Sequence, residues 1–284
     1  EPLPVEKMNF SPRNLQCLKE IAEKPYGLIL VVGPTGSGKT TTLHSILGYI
    51  NTPERKIWTA EDPVEITQYR LRQVQVEKKI GLTFASAMRA FLRADPDVVM
   101  VGEMRDEETA HTGIEASLTG HLVFSTLHTN SAPETITRLL DMGLDPFNFA
   151  DALLGILAQR LCKTLCKNCK EPYEPTEKEL DELAEEYGRQ YWDKLNIQAG
   201  NGLHLHRAPG CDVCNKTGYK GRTGLHELLI ATDPVKKLIQ SKAKIEEIRD
   251  LGIEEGMRTL KQDGIEKVLK GDTDLKQVKI VCIK

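Results

Sequence analysis

The sequence predicts an α/β fold: a parallel sheet covered on both faces by helices, then a small cysteine-bearing block and a helical C-terminal block. Three observations carry that prediction. Between residues 13 and 160, short apolar runs rich in β-branched residues alternate with segments of helical period, the pattern of parallel strands joined by crossover helices. A glycine-rich turn sits between the first such run and the helix that follows it. The alternation then stops at LCKTLCKNCKEPYEP, where cysteine, lysine and proline take over.

Taken in order, residues 1–12 hold three prolines and read as a linker from a preceding domain. With no initiating Met, they lead us to expect a fragment. Strands are expected at 28–32, 56–61, 73–76, 97–102 and 122–127, and helices at 13–23, 39–50, 83–94, 107–118, 132–141 and 148–161. After Lys39 the period changes: Leu43, Ile46, Leu47 and Ile50 recur at helical spacing. In 107–118, Ala110, Ile114 and Leu118 are expected to make the buried face, with Glu107, Glu108 and Glu115 in water and Glu107 and Glu108 at the positive helix end. Residues 176–195 read as a charged amphipathic helix, and 196–224 as irregular. From 225 onward LHELLIATDPVKKLIQ and its sequel read as three or four short helices, Thr232-Asp233-Pro234 supplying a cap and first turn. The expected domains are therefore 13–161, 162–224 and 225–284 after the 1–12 linker.

Bulk properties bound the function. A chain of 284 residues, 40% hydrophobic, can bury a sizeable core. Its net charge of −3 offers no whole-molecule attraction to nucleic acid or to anionic membranes. No apolar run approaches the ~18 residues of a spanning helix, and the N-terminus lacks the layout of a signal peptide. A cytosolic location is expected.

The chemistry begins at GPTGSGKTTTLHS, residues 33–45. Gly33, Gly38, Lys39 and Thr40 match G-x-x-x-x-G-K-[ST] between a strand and a helix, where backbone amides and the positive helix end surround phosphate. Gly33, Pro34, Thr35, Gly36, Ser37, Gly38, Lys39, Thr40 and Thr41 are the predicted ATP-binding loop. Lys39 would reach the β- and γ-phosphates, and Thr40 would ligate Mg²⁺.

Carboxylates are needed beside such a loop. In TAEDPVE, Glu61, Asp62 and Glu65 cluster around Pro63, which stops the strand and leaves them at its C-terminal edge. Glu61 and Asp62 are expected to support Mg²⁺, and Glu65 is a catalytic candidate. In DPDVVMVGEMRD, four apolar residues and a glycine precede Glu103, the candidate general base. Gly102 stands where the generic pattern has aspartate, so support for Mg²⁺ must come partly from elsewhere. Solvated loop charge is the plain alternative for either cluster alone. In TGHLVFSTLHTNSA, His128 is the candidate sensor of the γ-phosphate, while His121 equally suits a structural role.

In this order GPTGSGKTTTL, TAEDPVE, LRADPDVVMVGEMRD and TGHLVFSTLHTN resemble the Walker A, aspartate-box, Walker B and histidine-box motifs of secretion ATPases, in the branch driving type II secretion and type IV pilus assembly. The similarity continues through LAQRLCKTLCKNCKEPYEP and CDVCNKTGYKGRTGLHELL. The resemblance implies a RecA-like ATPase domain in a homohexameric ring at the cytoplasmic face of the inner membrane. It also implies an integral membrane platform partner, a cytoplasmic docking protein, upstream domains not present here, and arginines lent by neighbouring domains. Arg70, Arg72, Arg89 and Arg93 are candidates for that role, and ordinary surface arginine is the alternative for each.

Seven cysteines in a cytosolic chain are not expected to form disulfides. Cys166 and Cys169, then Cys211 and Cys214, form two C-x-x-C pairs 41 residues apart, a spacing that fits four thiolates on one structural Zn²⁺, with free buried thiols or redox pairs as the alternative. Cys17, Cys162 and Cys282 read as small core residues. Retraction motors of the resembling family typically lack the pairs, so assembly or secretion is favoured. Two other readings stay open: a P-loop nucleic-acid motor or DNA-uptake ATPase, and a small-molecule kinase. Low charge and few aromatics disfavour the first, and no nucleic-acid partner is expected. No lid or acceptor pocket is legible for the second.

Overall fold

The computed structural model describes residues 1–198, 200 and 202–282. Ser11 caps α1 (Pro12–Ala22), accepting from the Asn14 N–H, and every residue of GLILVV in β1 (Gly27–Val32) is buried. Alternation then proceeds through α2 (Lys39–Ile50), β2 (Ile57–Glu61), β3 (Leu71–Gln75), α3 (Phe84–Arg93), β4 (Val98–Val101), α4 (Glu107–Leu118), β5 (Leu122–Leu127) and α5 (Ala132–Asp141). Asp106 and Ser131 cap α4 and α5 through their side chains, the local reason those helices begin where they do.

The chain then departs from expectation. The helix predicted over 148–161 is a short helix, α6 (Pro146–Ala152), running into a long strand, β6 (Leu153–Leu165). Leu153, Leu154, Ile156 and Leu157 fit either period, and pairing decides: β6 lies parallel to β1 from Leu28↔Leu153 to Val32↔Ala158. The remaining elements are β7 (Glu171–Tyr173), α7 (Glu177–Tyr187), α8 (Arg189–Trp192), β8 (Leu205–Arg207), β9 (Tyr219–Ile230), α9 (Asp233–Gln240), α10 (Ile245–Glu254), α11 (Leu260–Leu269) and α12 (Leu275–Val281). The single helix expected at 176–195 is broken at Gly188, whose φ of +97° leaves the right-handed region. LHELLI, expected as helix, lies in β9, because Leu225, Leu228 and Leu229 imitate a helical stripe while being buried as strand residues.

Two compact units result. One comprises Glu1–Gln159 and Glu227–Met257; the other comprises Arg160–His226 and the residues from Arg258 onward. These are not the consecutive blocks read from the sequence. β9 passes through residue 225, α9 and α10 belong to the first unit, and α11 and α12 belong to the second. The opening segment, expected as linker, contains a 3₁₀ turn at Val5–Lys7 that buries Val5 in the first unit's core. Among the described residues no helix is long and apolar enough to cross a membrane.

The sheet order is β3-β2-β4-β5-β1-β6-β9. β2 pairs in parallel with β3 and β4, β4 with β5, and β5 with β1. The C-terminal ends of β1, β2, β4 and β5 therefore share one edge, where open α/β sheets bind ligands. Beneath it Phe124 is fully buried with Ile29, Met100 and Leu47. Phe124→Ala is expected to destabilise the protein by about 3–5 kcal/mol, measured as a lowered midpoint in chemical denaturation.

Candidate active site and cysteine cluster

At the end of β1 the chain turns through the glycine-rich loop into α2. Gly38, the residue capping α2, has φ +84°, a left-handed conformation that costs glycine little. The N–H groups of a helix's first turn have no partner within the helix, and Lys39, Thr40 and Thr41 of that turn line the cleft at the sheet edge. That cleft encloses about 420 Å³ and is lined by the loop from Thr35 to Thr41 and by Glu61, Asp62, Glu65, Glu103 and His128. Gly33 and Pro34 act through their carbonyls, which accept from Lys39 Nζ at 2.5 and 3.2 Å. Gln159 braces the loop from β6: its Nε2 donates to Ser37 O at 2.6 Å, and its Oε1 accepts from the Thr42 hydroxyl at 2.7 Å.

The strand ends bring the acids. Glu103, just past β4, is held at both oxygens. His128 Nε2 lies 3.0 Å from Oε1, and Arg105 Nε donates to Oε2 at 2.7 Å. Lys39 Nζ is 3.3 Å from His128 Nδ1, so Nδ1 accepts and the Nε2 proton faces Glu103. Arg105 also lies 3.9 Å from Asp62 and over the Phe84 ring. Lys39, His128, Glu103, Arg105 and Asp62 thus form one polar chain joining four loops. At Gly102 a Cβ would meet Ala60 O and the Phe84 ring at 3.2 Å. A side chain there would need these neighbours to give by a few tenths of an ångström, in keeping with the glycine at this position.

Glu61 lines the cleft but is buried. Its oxygens accept from Thr59 Oγ1 at 2.8 Å and Gln73 Nε2 at 2.9 Å and lie 2.7 Å from His44 Nε2. Burial opposes its charge, but the donors His44, Gln73 and Thr59 hold the carboxyl below the usual carboxylate range. Bare ligation of Mg²⁺ by Glu61 would break these bonds, so Asp62 and Glu65 are the freer donors. His121 takes the structural role: it is buried, with Nδ1 2.8 Å from Pro96 O. Arg72 stacks on Trp58, Arg89 pairs with Glu108, Arg70 lies over Tyr69, and Arg93 is exposed. Arg105, Gln159 and His44 were not singled out in the sequence. Arg105 had a signal, an arginine two residues beyond the strand-end acid; Gln159 and His44 had none.

In the second unit, Cys166, Cys169, Cys211 and Cys214 gather with every Sγ within 4.8 Å of the others. The separations Cys166–Cys211, Cys169–Cys214 and Cys211–Cys214 are 3.8, 3.9 and 3.7 Å. Those are far beyond an S–S bond, and a tetrahedral ion with ligands at ~2.3 Å has edges of about 3.8 Å. Asn168 Nδ2 donates to Cys211 Sγ at 3.3 Å, and the backbone N–H groups of Cys211 and Gly218 reach Cys214 Sγ at 3.2 Å. The Asn168 contact, helped by backbone donors, lowers the Cys211 thiol to about 6. The donor set fits a closed structural zinc site. Cys162 is separate and buried, with Sγ 3.4 Å from Thr273 Oγ1.

A parallel sheet with a phosphate loop after β1 and acids at the neighbouring strand ends defines a P-loop ATPase fold. More narrowly, this chain belongs to the type II/IV secretion system protein family, which matches residues 2–280. The type IV pilus assembly ATPase PilB of Thermus thermophilus is 46% identical over 274 residues, 96% of this chain and 30% of that protein. The type II secretion system ATPase E of Vibrio cholerae is 46% identical over 276 residues, 97% of this chain and 52% of that protein. The chain therefore spans about a third to a half of these relatives. The crystal structure of the pilus retraction motor PilT with bound ADP matches with TM-score 0.68 and 29% identity, over 98% of this chain and 66% of that one.

Proposed function

We propose that this chain is the ATP-hydrolysing part of a homohexameric motor at the cytoplasmic face of the inner membrane. It works with an integral membrane platform protein and a cytoplasmic docking protein to assemble a type IV pilus or to drive type II secretion. The observation that carries this reading is the meeting of Lys39, Glu103 and His128, from three strand ends, in one cleft. Mg²⁺, when bound, neutralises charge on the β- and γ-phosphates. The Thr40 hydroxyl and the Asp62 and Glu65 carboxylates are the hard oxygen donors that suit it.

With nucleotide present, Lys39 exchanges its loop carbonyls for phosphate oxygens. Glu103 orients the attacking water and takes its proton, while His128, in contact with both Lys39 and Glu103, senses the γ-phosphate. Hydrolysis needs little covalent chemistry from the protein, so positioning and charge supply most of the rate. Assembly or secretion is favoured over retraction by the cysteine cluster and by the relatives at 46% identity, which carry assembly and secretion names. Those names favour a secretion or pilus machine over the nucleic-acid alternative. Lys39→Ala is expected to weaken ATP binding by about 10- to 100-fold, the worth of a charge-assisted hydrogen bond of ~1.5–3 kcal/mol. Calorimetric titration measures it, and unchanged affinity would refute the site.

A further inference from the structure

Behind the phosphate loop lies a buried polar network that the reaction scheme above leaves unused. His44, on α2 one turn beyond Lys39 and Thr40, is fully buried. Gln68 Nε2 donates to the His44 backbone carbonyl at 2.8 Å and reaches His44 Nδ1 at 2.9 Å. With Nδ1 accepting from Gln68, the ring proton on Nε2 is donated to Glu61 Oε1 at 2.7 Å. Gln73 completes the circuit. Its Nε2 donates to Glu61 Oε2 at 2.9 Å and to Ile66 O at 2.7 Å, and its Oε1 accepts from the Gln68 N–H at 3.0 Å.

The segment between Glu61 and Leu71 has no regular secondary structure, yet it carries Asp62 and Glu65 to the cleft. Two glutamine side chains pin it, and both end on the His44–Glu61 pair. A position that faced only packing demands would be served by an apolar side chain. Burying an imidazole against a carboxylate costs desolvation, which is offset only if each polar group is satisfied, and the product is a fixed geometry. One end of that geometry is α2, whose first turn presents Thr40. The other is the acidic segment.

We propose that His44 is a positioning residue for the divalent cation of this cleft, fixing the Glu61 carboxylate and, through Gln68, the Asp62–Glu65 segment relative to the Thr40 hydroxyl. The proposal rests on the MgATP reading, but it does not depend on which group is the base. It is tested in the purified chain by Mn²⁺ binding in the presence of a non-hydrolysable ATP analogue, read by electron paramagnetic resonance. His44→Phe keeps a planar ring and removes both hydrogen bonds. Mn²⁺ affinity is expected to fall by about 10- to 100-fold, as when a partner behind a metal ligand is lost, while metal-free affinity for the analogue stays unchanged. Gln68→Leu, which changes no residue of α2 but removes the contacts to His44, should reproduce the loss. His44→Gln, which retains an N–H donor toward Glu61, should recover most of the affinity. Unchanged Mn²⁺ affinity in both His44→Phe and Gln68→Leu would overturn the proposal. So would parallel losses of metal-free nucleotide affinity and thermal stability with no recovery in His44→Gln, which would reduce His44 to packing. Normal ATP turnover by Glu103→Gln would instead sink the base assignment and leave the Mn²⁺ result standing.

Discussion

Glu103→Gln is expected to retain ATP binding and to lose turnover by about 10²- to 10⁴-fold, the range that general-base catalysis supplies. The substitution is nearly isosteric. Its Oε1 can still accept from Arg105, so the Asp62–Arg105 end of the polar chain should survive, while its amide NH₂ faces the His128 Nε2–H donor and that link is lost. The base is removed while the phosphate loop keeps its residues, and the split between binding and rate therefore reports on the proposed step. Phosphate release under saturating MgATP gives kcat, and nucleotide titration gives affinity. Normal turnover would move the base to another cleft carboxylate, with Glu65 the first alternative because it lines the same cleft and is exposed. Equal losses of affinity and rate would mean that the substitution had disturbed the Lys39–His128 contact.

The site was legible where chemistry and strand order coincide. Glycine spacing in GPTGSGKT defines the loop whatever surrounds it, and parallel pairing puts Glu103 and His128 beside it because the C-terminal ends of β1, β4 and β5 share one edge. What escaped the sequence depends on contacts between distant segments. Gln159 sits in a run that fits helix and strand alike, and its role exists only because β6 pairs with β1. Neither His44 nor Gln68 has any local feature that marks it; each acquires meaning when the segment after Glu61 folds back over α2. LHELLI was misread for the related reason that leucines at 225, 228 and 229 satisfy a helical period while packing as a strand. The C-x-x-C pairs were readable across 41 residues because their chemistry is local to each pair.

Removing the zinc ion that the four cysteines are expected to hold should have the largest structural effect. The second unit has β7 and β8 as a small sheet of three residues a strand, and between β7 and β9 it contains little other regular structure than α7 and α8. So small an ordered region has limited apolar surface to bury, and a structural zinc contributes ~10–16 kcal/mol of binding free energy to such a fold at neutral pH. Metal analysis is expected to find about one zinc per chain, as four thiolates complete a single tetrahedral site. Trp192 reports the outcome, because it is buried in this unit with its ring 5.9 Å from that of Tyr187. In a Trp58→Phe background, Cys211→Ser or chelation should shift Trp192 emission to the red and speed proteolysis between residues 166 and 218. Asn168→Leu should weaken zinc binding less than Cys211→Ser, because it removes a donor to the sulfur and leaves all four ligands in place. A Cys211→Ser protein that keeps its zinc, its blue emission and its protease resistance would show that the four sulfurs come together through packing alone.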